Sequence, residues 1–333
     1  MTRARIGIVS WNVAELLDAC LGAIPDAANG LEFEVVVVDN NSADASVDVA
    51  RRHESVTVIV NGDNVGYARG MNRALTHDLG TGAPDVFIAL NPDTVPPPGS
   101  LTRLVERLLD DPRVGLVVPR LVNPDGSLQH SVYRFPSPMI TFVVCAVPLL
   151  LQRGRVARRW WLEGRVPHDE PCDIDWAIGA VHVMRVEAIR ADRPYREQWF
   201  MYVEDLDLCW QLRKEGWRVR LEPEVQVTHV GNASGRQAWG DRRTQRWWVA
   251  TYDWYRSRRG AFAAWRFAAT NTLGVAFLLM RARVRRRVLT DRSGGTTARI
   301  DELRQILPHH WAMVRAPRTA FAGSESIPPD DPT

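Results

Sequence analysis

Cysteine is scarce in this chain: four in 333 residues. None of Cys20, Cys145, Cys172 and Cys209 forms a C-x-x-C pair, so zinc frameworks and a disulfide scaffold are excluded by spacing. Reduced thiols packed in a cytosolic protein are expected instead. The opening residues Met1–Trp11 hold no long apolar stretch of the secretory type and read as a first strand. No internal repeat is visible, which sets aside solenoids and propellers. Little net charge is present either. The formal +3 nevertheless hides an asymmetry, because fourteen Arg against three Asp lie between Arg236 and Arg292, a local +11. A basic stretch of this kind predicts an anionic membrane surface or nucleic acid as its partner, or else a solvated helix face.

What is present is 45% apolar residues, enough for one large α/β domain with an appendage. Short β-branched runs at Ile6–Trp11, Phe33–Val38, Val56–Val60, Asp85–Leu90 and Val114–Val118 alternate with helical spacing at Ala14–Ile24, Ala43–His53, Gly66–Leu79 and Leu101–Leu109. Ser42 stands where it would cap the second helix. Phe33–Val38 is apolar at successive positions, as in a strand buried on both faces. The alternation predicts a mostly parallel sheet with helices on both sides. Met139–Leu151 is apolar but too short to cross a bilayer. Glu204–Glu215 reads as a helix and Val219–Val227 as a strand. Ala261–Met280 is long enough to span, but it carries Arg266, Thr270, Asn271 and Thr272. A helix lying in the membrane interface or packed on the domain is therefore expected. From Gly323 the Ser/Pro/Asp-rich end reads as a flexible tail.

Ligands of open α/β sheets bind beyond the carboxyl ends of the strands, where this sequence concentrates Asp and Asn. The strands run into Ser10-Trp11-Asn12, Asp39-Asn40-Asn41-Ser42, Asn61-Gly62-Asp63-Asn64-Val65-Gly66 and Asn91-Pro92-Asp93-Thr94. Each loop alone is explained by turn and cap chemistry; the ordered set is more specific. Asp39 is placed to accept hydrogen bonds from a base or ribose. The helix opened by Asn64 and Gly66 offers amides to a phosphate, with Arg69 and Asn72 on its first turns. Asp93 is placed to bridge a hard divalent cation to phosphates. His229, after a strand, is a further ligand, a contact to the diphosphate or a structural histidine. Glu204, Asp205 and Asp207 open a helix beside an aromatic cluster. Acids there suit the helix dipole, yet a partly shielded Glu204 or Asp205 also suits removal of a hydroxyl proton.

Taken together, these segments resemble family 2 glycosyltransferases of the GT-A fold, in the rhamnosyltransferase-like branch acting on cell-envelope polysaccharides. The matching pieces are Ile8–Asn12, Val37–Ser42, Asn64–Asn72, Leu90–Thr94, Trp176–Ala180, Phe200–Trp210 and Gly216–Val219 leading to His229. The resemblance covers Arg5 to Ser234. It implies a GT-A domain over 1–235, with a nucleotide-sugar half (1–120) and an acceptor and catalytic half (121–235). A basic, helical, membrane-associating region (236–315) and a tail (316–333) follow. Asp39, with Ser10, Asn12 and Asn41 nearby, would hold the nucleoside. Asn64, Gly66, Arg69, Asn72 and Asn91 would shape the donor pocket. Asp93 and His229 would bind Mg²⁺ or Mn²⁺, and Trp176, Gly179 and Ala180 would back the acceptor. Asp205, paired with Glu204, would be the base. Trp11 departs from the smaller residue or Tyr usual in the family, which touches the shape of the base pocket.

The implied reaction is an inverting displacement from a nucleotide diphosphate sugar, with dTDP-rhamnose first among donors. The acceptor would be a polyprenyl-diphosphate-linked saccharide or a polysaccharide. The location would be cytoplasmic and peripheral at the inner face of the plasma membrane, held through the Arg-rich region. No nucleic acid partner is expected, and a homodimer is left open. Two rivals remain. A nucleotide-sugar-forming nucleotidyltransferase calls for a Gly-rich loop with a catalytic Lys or Arg where Ser10-Trp11-Asn12 stands. An inactive saccharide-binding scaffold has no use for the acids.

Overall fold

A computed structural model describes residues 2–146, 170–189, 194–231, 243–288 and 295–315. The expected tail, residues 147–151 of the Met139–Leu151 segment, and Ser234 lie outside them. The described residues form two compact units.

The first unit is built on a nine-stranded sheet of order β3-β2-β1-β4-β10-β6-β11-β5, with β8 paired to β11. Its strands are β1 (Arg3–Ser10), β2 (Glu32–Asp39), β3 (Val56–Val60), β4 (Val86–Leu90), β5 (Thr94–Val95), β6 (Val114–Val122), β8 (Cys172–Ile174), β10 (Val181–Arg185) and β11 (Arg218–His229). The short β7 (Val132–Tyr133) pairs with β9 (Trp176–Ala177). β1 to β4 run parallel, as the alternating pattern predicts. The Val/Ile/Leu runs of β1, β2 and β4 are covered on both faces, so no alternation survives in them. β10 enters antiparallel between β4 and β6; nothing in its local sequence announces that direction.

Helices α1 (Ala14–Ala27), α2 (Ser46–Arg52), α3 (Gly66–Thr76), α4 (Ser100–Asp110) and α6 (Glu204–Lys214) accompany the sheet. Leu17, Leu21 and Ile24 of α1 and Leu101, Leu104 and Leu108 of α4 join Ile6, Ile8, Val35, Val37 and Ile88 in one core. Each such side chain contributes roughly 1.5–3 kcal/mol on burial. Of the boundaries that differ from expectation, two bear on the site. α2 begins at Ser46, because Ser42 is not a cap: its backbone N–H and hydroxyl both bond to the Asp39 carboxylate. α3 ends at Thr76 rather than Leu79. The chain order reverses at β1, which lies between β2 and β4. That reversal opens a crevice at the strands' carboxyl ends.

The second unit is helical: α5 (Pro138–Ala146), α7 (Arg243–Arg259), α8 (Ala261–Val288) and α9 (Gly295–Arg315). Thus the apolar segment at Met139 sorts with the C-terminal helices. Gly274 lets α5 approach α8, since a Cβ there would come within 2.6 Å of Cys145 Sγ. A buried polar chain runs through the unit. Thr141 Oγ1 donates to Asn271 Oδ1 (2.7 Å), Asn271 Nδ2 donates to the Tyr252 hydroxyl (2.9 Å), and that hydroxyl lies 2.7 Å from His310 Nδ1. Among the polar residues in the apolar stretch of α8, Asn271 is buried in this chain, and Thr270 and Thr272 bond back to helix carbonyls. α8 is the one described helix long and apolar enough to cross a membrane, and a third of its apolar window is buried within the protein. None of the four cysteines forms a disulfide, and Cys20, Cys145 and Cys209 are buried.

Candidate active site

The ends of β1 and β2 lie in register, Ser10 opposite Asp39. Asp39 is buried, its Oδ1 taking the Ser42 N–H (2.8 Å) and its Oδ2 the Ser42 hydroxyl (2.6 Å). Asn12 Oδ1 accepts from the Ala43 N–H at 2.7 Å and ties the two loops together. Asn12 and Asn41 both adopt left-handed backbone (φ 52° and 62°), a conformation Asn tolerates better than other side chains. Asn41 is exposed. The Ser10 hydroxyl is buried without a hydrogen-bond partner, which marks it as a group awaiting a ligand or water.

At the start of α3, the geometry corrects one expectation. The Gly66 N–H is taken by Asn64 Oδ1 (3.0 Å) and the Tyr67 N–H by the Phe200 carbonyl (2.9 Å), so these two amides are not open to a phosphate. Gly66 is required here: φ is +82°, and a Cβ would drive into the Phe200 carbonyl oxygen. Arg69 pairs with Glu197 at 3.3 Å and is more than half exposed. Asn72 is a clamp rather than a pocket wall. It is buried, donates to the Tyr195 carbonyl (2.7 Å) and accepts from the Tyr195 N–H (3.0 Å).

After β4, the Asn91 N–H donates to the Ala180 carbonyl (2.9 Å), and the Asn91 carbonyl accepts from the Thr94 N–H and hydroxyl. This tight turn sets Asp93 against the end of β11, where the Val230 N–H meets the Asp93 carbonyl (2.9 Å) and His229 pairs with Thr94. The two side chains come together there. His229 Nε2 lies 3.2 Å from Asp93 Oδ1, both nearly buried. The approach is by distance only, because Nε2 makes no hydrogen bond. A buried nitrogen without a partner beside a carboxylate oxygen fits a small cation. Two atoms held at bonds of about 2.1 Å to one ion lie roughly this far apart. Among the described residues no cluster of three His, Cys, Asp or Glu exists. Two protein donors suit Mg²⁺ or Mn²⁺, which take further oxygens from phosphates and water.

The acids of α6 lie at the end of a strained approach. Tyr202 and Val203 both have left-handed backbone (φ 69° and 63°), costly for a β-branched residue and common at functional sites. The kink turns Glu204 and Asp205 inward. Glu204 is buried, with Oε2 unpartnered. Burial first, and then the charge of Asp205, push its carboxyl well above the usual range. Asp205 is only partly buried. Its Oδ2 accepts from the Gly179 N–H (3.1 Å) and its Oδ1 from the Leu206 N–H (2.7 Å). Burial raises it to about 6 against those two bonds. Gly179 is half-buried and also offers its carbonyl to the Tyr67 hydroxyl (3.1 Å). Ala180 and Trp176 are buried. Trp176 stacks on Tyr133 (4.7 Å between centroids) and donates to the Arg134 carbonyl, so it supports this wall from behind.

Tyr67 joins the two halves. Burial, then the charges of Glu204 and Asp205, and further down Asp93, raise its hydroxyl well above its ordinary value. Its ring meets Tyr195 edge-on at 5.7 Å. Sequence reasoning gave Tyr67 no role, although it sits inside the Asn64–Asn72 segment. It also passed over Gln129, whose Oε1 lies 2.6 Å from His229 Nδ1. Nothing in the pattern around Gln129 announces it.

Residues 6–155 match the family described as glycosyl transferase family 2. The N-acetylglucosaminyl-diphospho-decaprenol L-rhamnosyltransferase of Mycobacterium tuberculosis is 29% identical over 212 residues, covering 61% of this chain and 68% of that one. Rhamnosyltransferase WbbL of Escherichia coli is 20% identical over 214 residues, 63% of this chain and 77% of that one. The solved mannosyltransferase of Pyrobaculum calidifontis, in complex with GDP-Man and Mn²⁺, superposes with a TM-score of 0.53 at 17% identity over 95% of this chain and 84% of that one. At that identity the likeness speaks for the fold. A sheet of this order, a turn carrying Asp93 beside His229 and the match over residues 6–155 point the same way: the chain has the GT-A fold, carries a stretch matching glycosyl transferase family 2, and is similar to rhamnosyltransferases of that family.

Proposed function

We propose that this transferase is inverting and cation-dependent, and that it moves rhamnose from dTDP-rhamnose onto a saccharide carried by a polyprenyl diphosphate. The observation that carries this reading is a pair of backbone contacts made by neighbouring residues: the Gly179 N–H bonds to Asp205 Oδ2 (3.1 Å), and the Ala180 carbonyl takes the Asn91 N–H (2.9 Å) at the start of the turn that carries Asp93. This supports a single crevice for the proposed cation ligand and the proposed base. Rhamnosyl transfer to a lipid-linked saccharide follows the activity named for the mycobacterial relative.

In this scheme Ser10, Asn12, Asp39 and Asn41 receive the nucleoside, with the unpartnered Ser10 hydroxyl as a direct contact. Asp93 and His229 hold the cation. When bound, such a cation supplies neutralisation of the charge that develops on the departing diphosphate. Asp205 accepts the proton of the acceptor hydroxyl, whose oxygen attacks the anomeric carbon from the face opposite the diphosphate. The Gly179 N–H aims the carboxylate and limits how far burial raises it. Asn72 and Arg69 act at one remove, by fixing Tyr195 and Glu197.

The test is transfer from dTDP-rhamnose to a polyprenyl-diphosphate-linked N-acetylglucosamine in the presence of Mn²⁺, read by mass spectrometry. Asp205→Asn is expected to lower kcat by at least about 10³-fold, at the strong end for loss of a general base, and to leave dTDP-rhamnose affinity within about twofold. Transfer at the normal rate by that variant would remove Asp205 as the base. Turnover with another nucleotide sugar but not with this one would replace the donor.

A further inference from the structure

We propose that Gln129 is a positioning residue that locks His229 in the Nδ1–H tautomer and so presents the Nε2 lone pair, beside Asp93, to a divalent cation. The inference rests on the reading of Asp93 and His229 as cation ligands.

The argument starts from a fixed amide. Gln129 sits at the end of the turn that follows β6, its N–H bonded to the Leu121 carbonyl (3.0 Å). Its side-chain nitrogen faces the backbone carbonyl of His229 (3.3 Å) and Asn123 Oδ1 (3.0 Å). Asn123 in turn spends its own amide N–H on the Ser127 hydroxyl (2.8 Å), which leaves its oxygen as the acceptor. A backbone carbonyl accepts and never donates, so the Gln129 NH₂ must point at it. The Gln129 oxygen then faces His229 Nδ1 at 2.6 Å, and that nitrogen must carry the proton. In the neutral ring this leaves Nε2 unprotonated, 3.2 Å from Asp93 Oδ1 and without a hydrogen bond. Two acceptors facing each other in a buried place repel unless a cation lies between them. Space for the amide is also provided: at Gly231 (φ +86°) a Cβ would stand 3.2 Å from Gln129 Nε2. Outer partners that fix a histidine's tautomer typically change metal affinity about 10- to 100-fold when removed.

Two readouts on the full chain test this. Long-range ¹H–¹⁵N spectra of the metal-free protein at about pH 8.5, above the ordinary imidazole range, should show His229 protonated on Nδ1. In Gln129→Met, a side chain of similar length without the amide, the signal should shift towards the Nε2–H form. Titration with Mn²⁺ alone, followed by the spin resonance of the free ion, should show binding weakened about 10- to 100-fold in Gln129→Met. Gln129→Glu, which still accepts from Nδ1–H, should recover most of the loss. A ring protonated on Nε2 in the unmodified protein would overturn the proposal whatever the variants do. If His229→Ala and Asp93→Asn lose Mn²⁺ while Gln129→Met keeps both affinity and tautomer, the ligand reading stands and the role of Gln129 falls. If His229→Ala and Asp93→Asn bind Mn²⁺ as the unmodified protein does, the ligand reading itself fails.

Discussion

Glu204 and Asp205 are neighbours in sequence with different surroundings, and that difference separates the roles proposed for them. Glu204 is buried with an oxygen unpartnered, whereas Asp205 is partly open and bonded to two backbone amides. A base must be ionised to act. With Asp205 raised to about 6 by burial, the transfer rate is expected to fall as the pH drops through about 6. A pH profile of kcat/KM checks this, and a rate that stays flat down to pH 4.5 would contradict it. Stability should move the other way. The folded protein holds the Asp205 proton more tightly than the unfolded chain, so stability declines as pH rises from the usual carboxylate range through about 6. Asp205→Asn should therefore be more stable at pH 7, by about 1 kcal/mol once its lost acceptor is set against the relief. Glu204→Gln should gain stability too, and it should keep far more activity if Asp205 is the base. Urea melts of the two variants at pH 5 and pH 7 separate these effects.

Among the elements, α3 and the strained approach to α6 depend on one contact. The Tyr67 N–H bonds to the Phe200 carbonyl, and Gly66 leaves room for it. Gly66→Ala would both clash there and force a side chain into positive φ. A loss of about 2–4 kcal/mol is expected, read as a lower urea midpoint at unchanged slope. Because Phe200 leads into Tyr202 and Val203, donor turnover should fall as well. Unchanged stability would mean that α3 and the Phe200 loop move independently. The start of α3 also shows why a helix N-terminus read from sequence is an incomplete argument for phosphate binding. The orphan amides exist, but tertiary partners reach them first.

At the scale of the whole molecule, the basic C-terminal helices carry the proposed membrane contact. On α8, Phe262, Leu273, Met280 and Val284 are each more than half exposed. Their spacing of eleven, seven and four residues puts them on one face. An exposed apolar stripe with nearby arginines supports an interfacial helix on anionic lipid, consistent with a third of the apolar window being buried inside the protein. Flotation with vesicles containing anionic lipid should recover the chain at low salt and lose it in about 0.5 M salt. The double variant Phe262→Ser/Leu273→Ser should float less at every salt concentration. Duplex-DNA binding without lipid binding would assign the arginines to another partner.

The sequence by itself determined the alternating β/α order, the acid-rich strand ends and the acidic helix start. These are local: periodicity fixes burial, and Asp, Asn and Gly fix turns where the chain must reverse. It also marked Asp39, Asp93, Glu204, Asp205 and His229 as residues of interest. Only the tertiary structure decided what touches what. The antiparallel insertion of β10 puts Gly179 and Ala180 between the Asp93 turn and Asp205, 26 residues further on. Asn72 became a clamp, Ser42 a partner of Asp39 rather than a cap, and Gln129 a neighbour of His229 a hundred residues away. Such pairings carry no local signature, because a side chain's hydrogen-bond capacity is fixed by its type while its partner is fixed by packing.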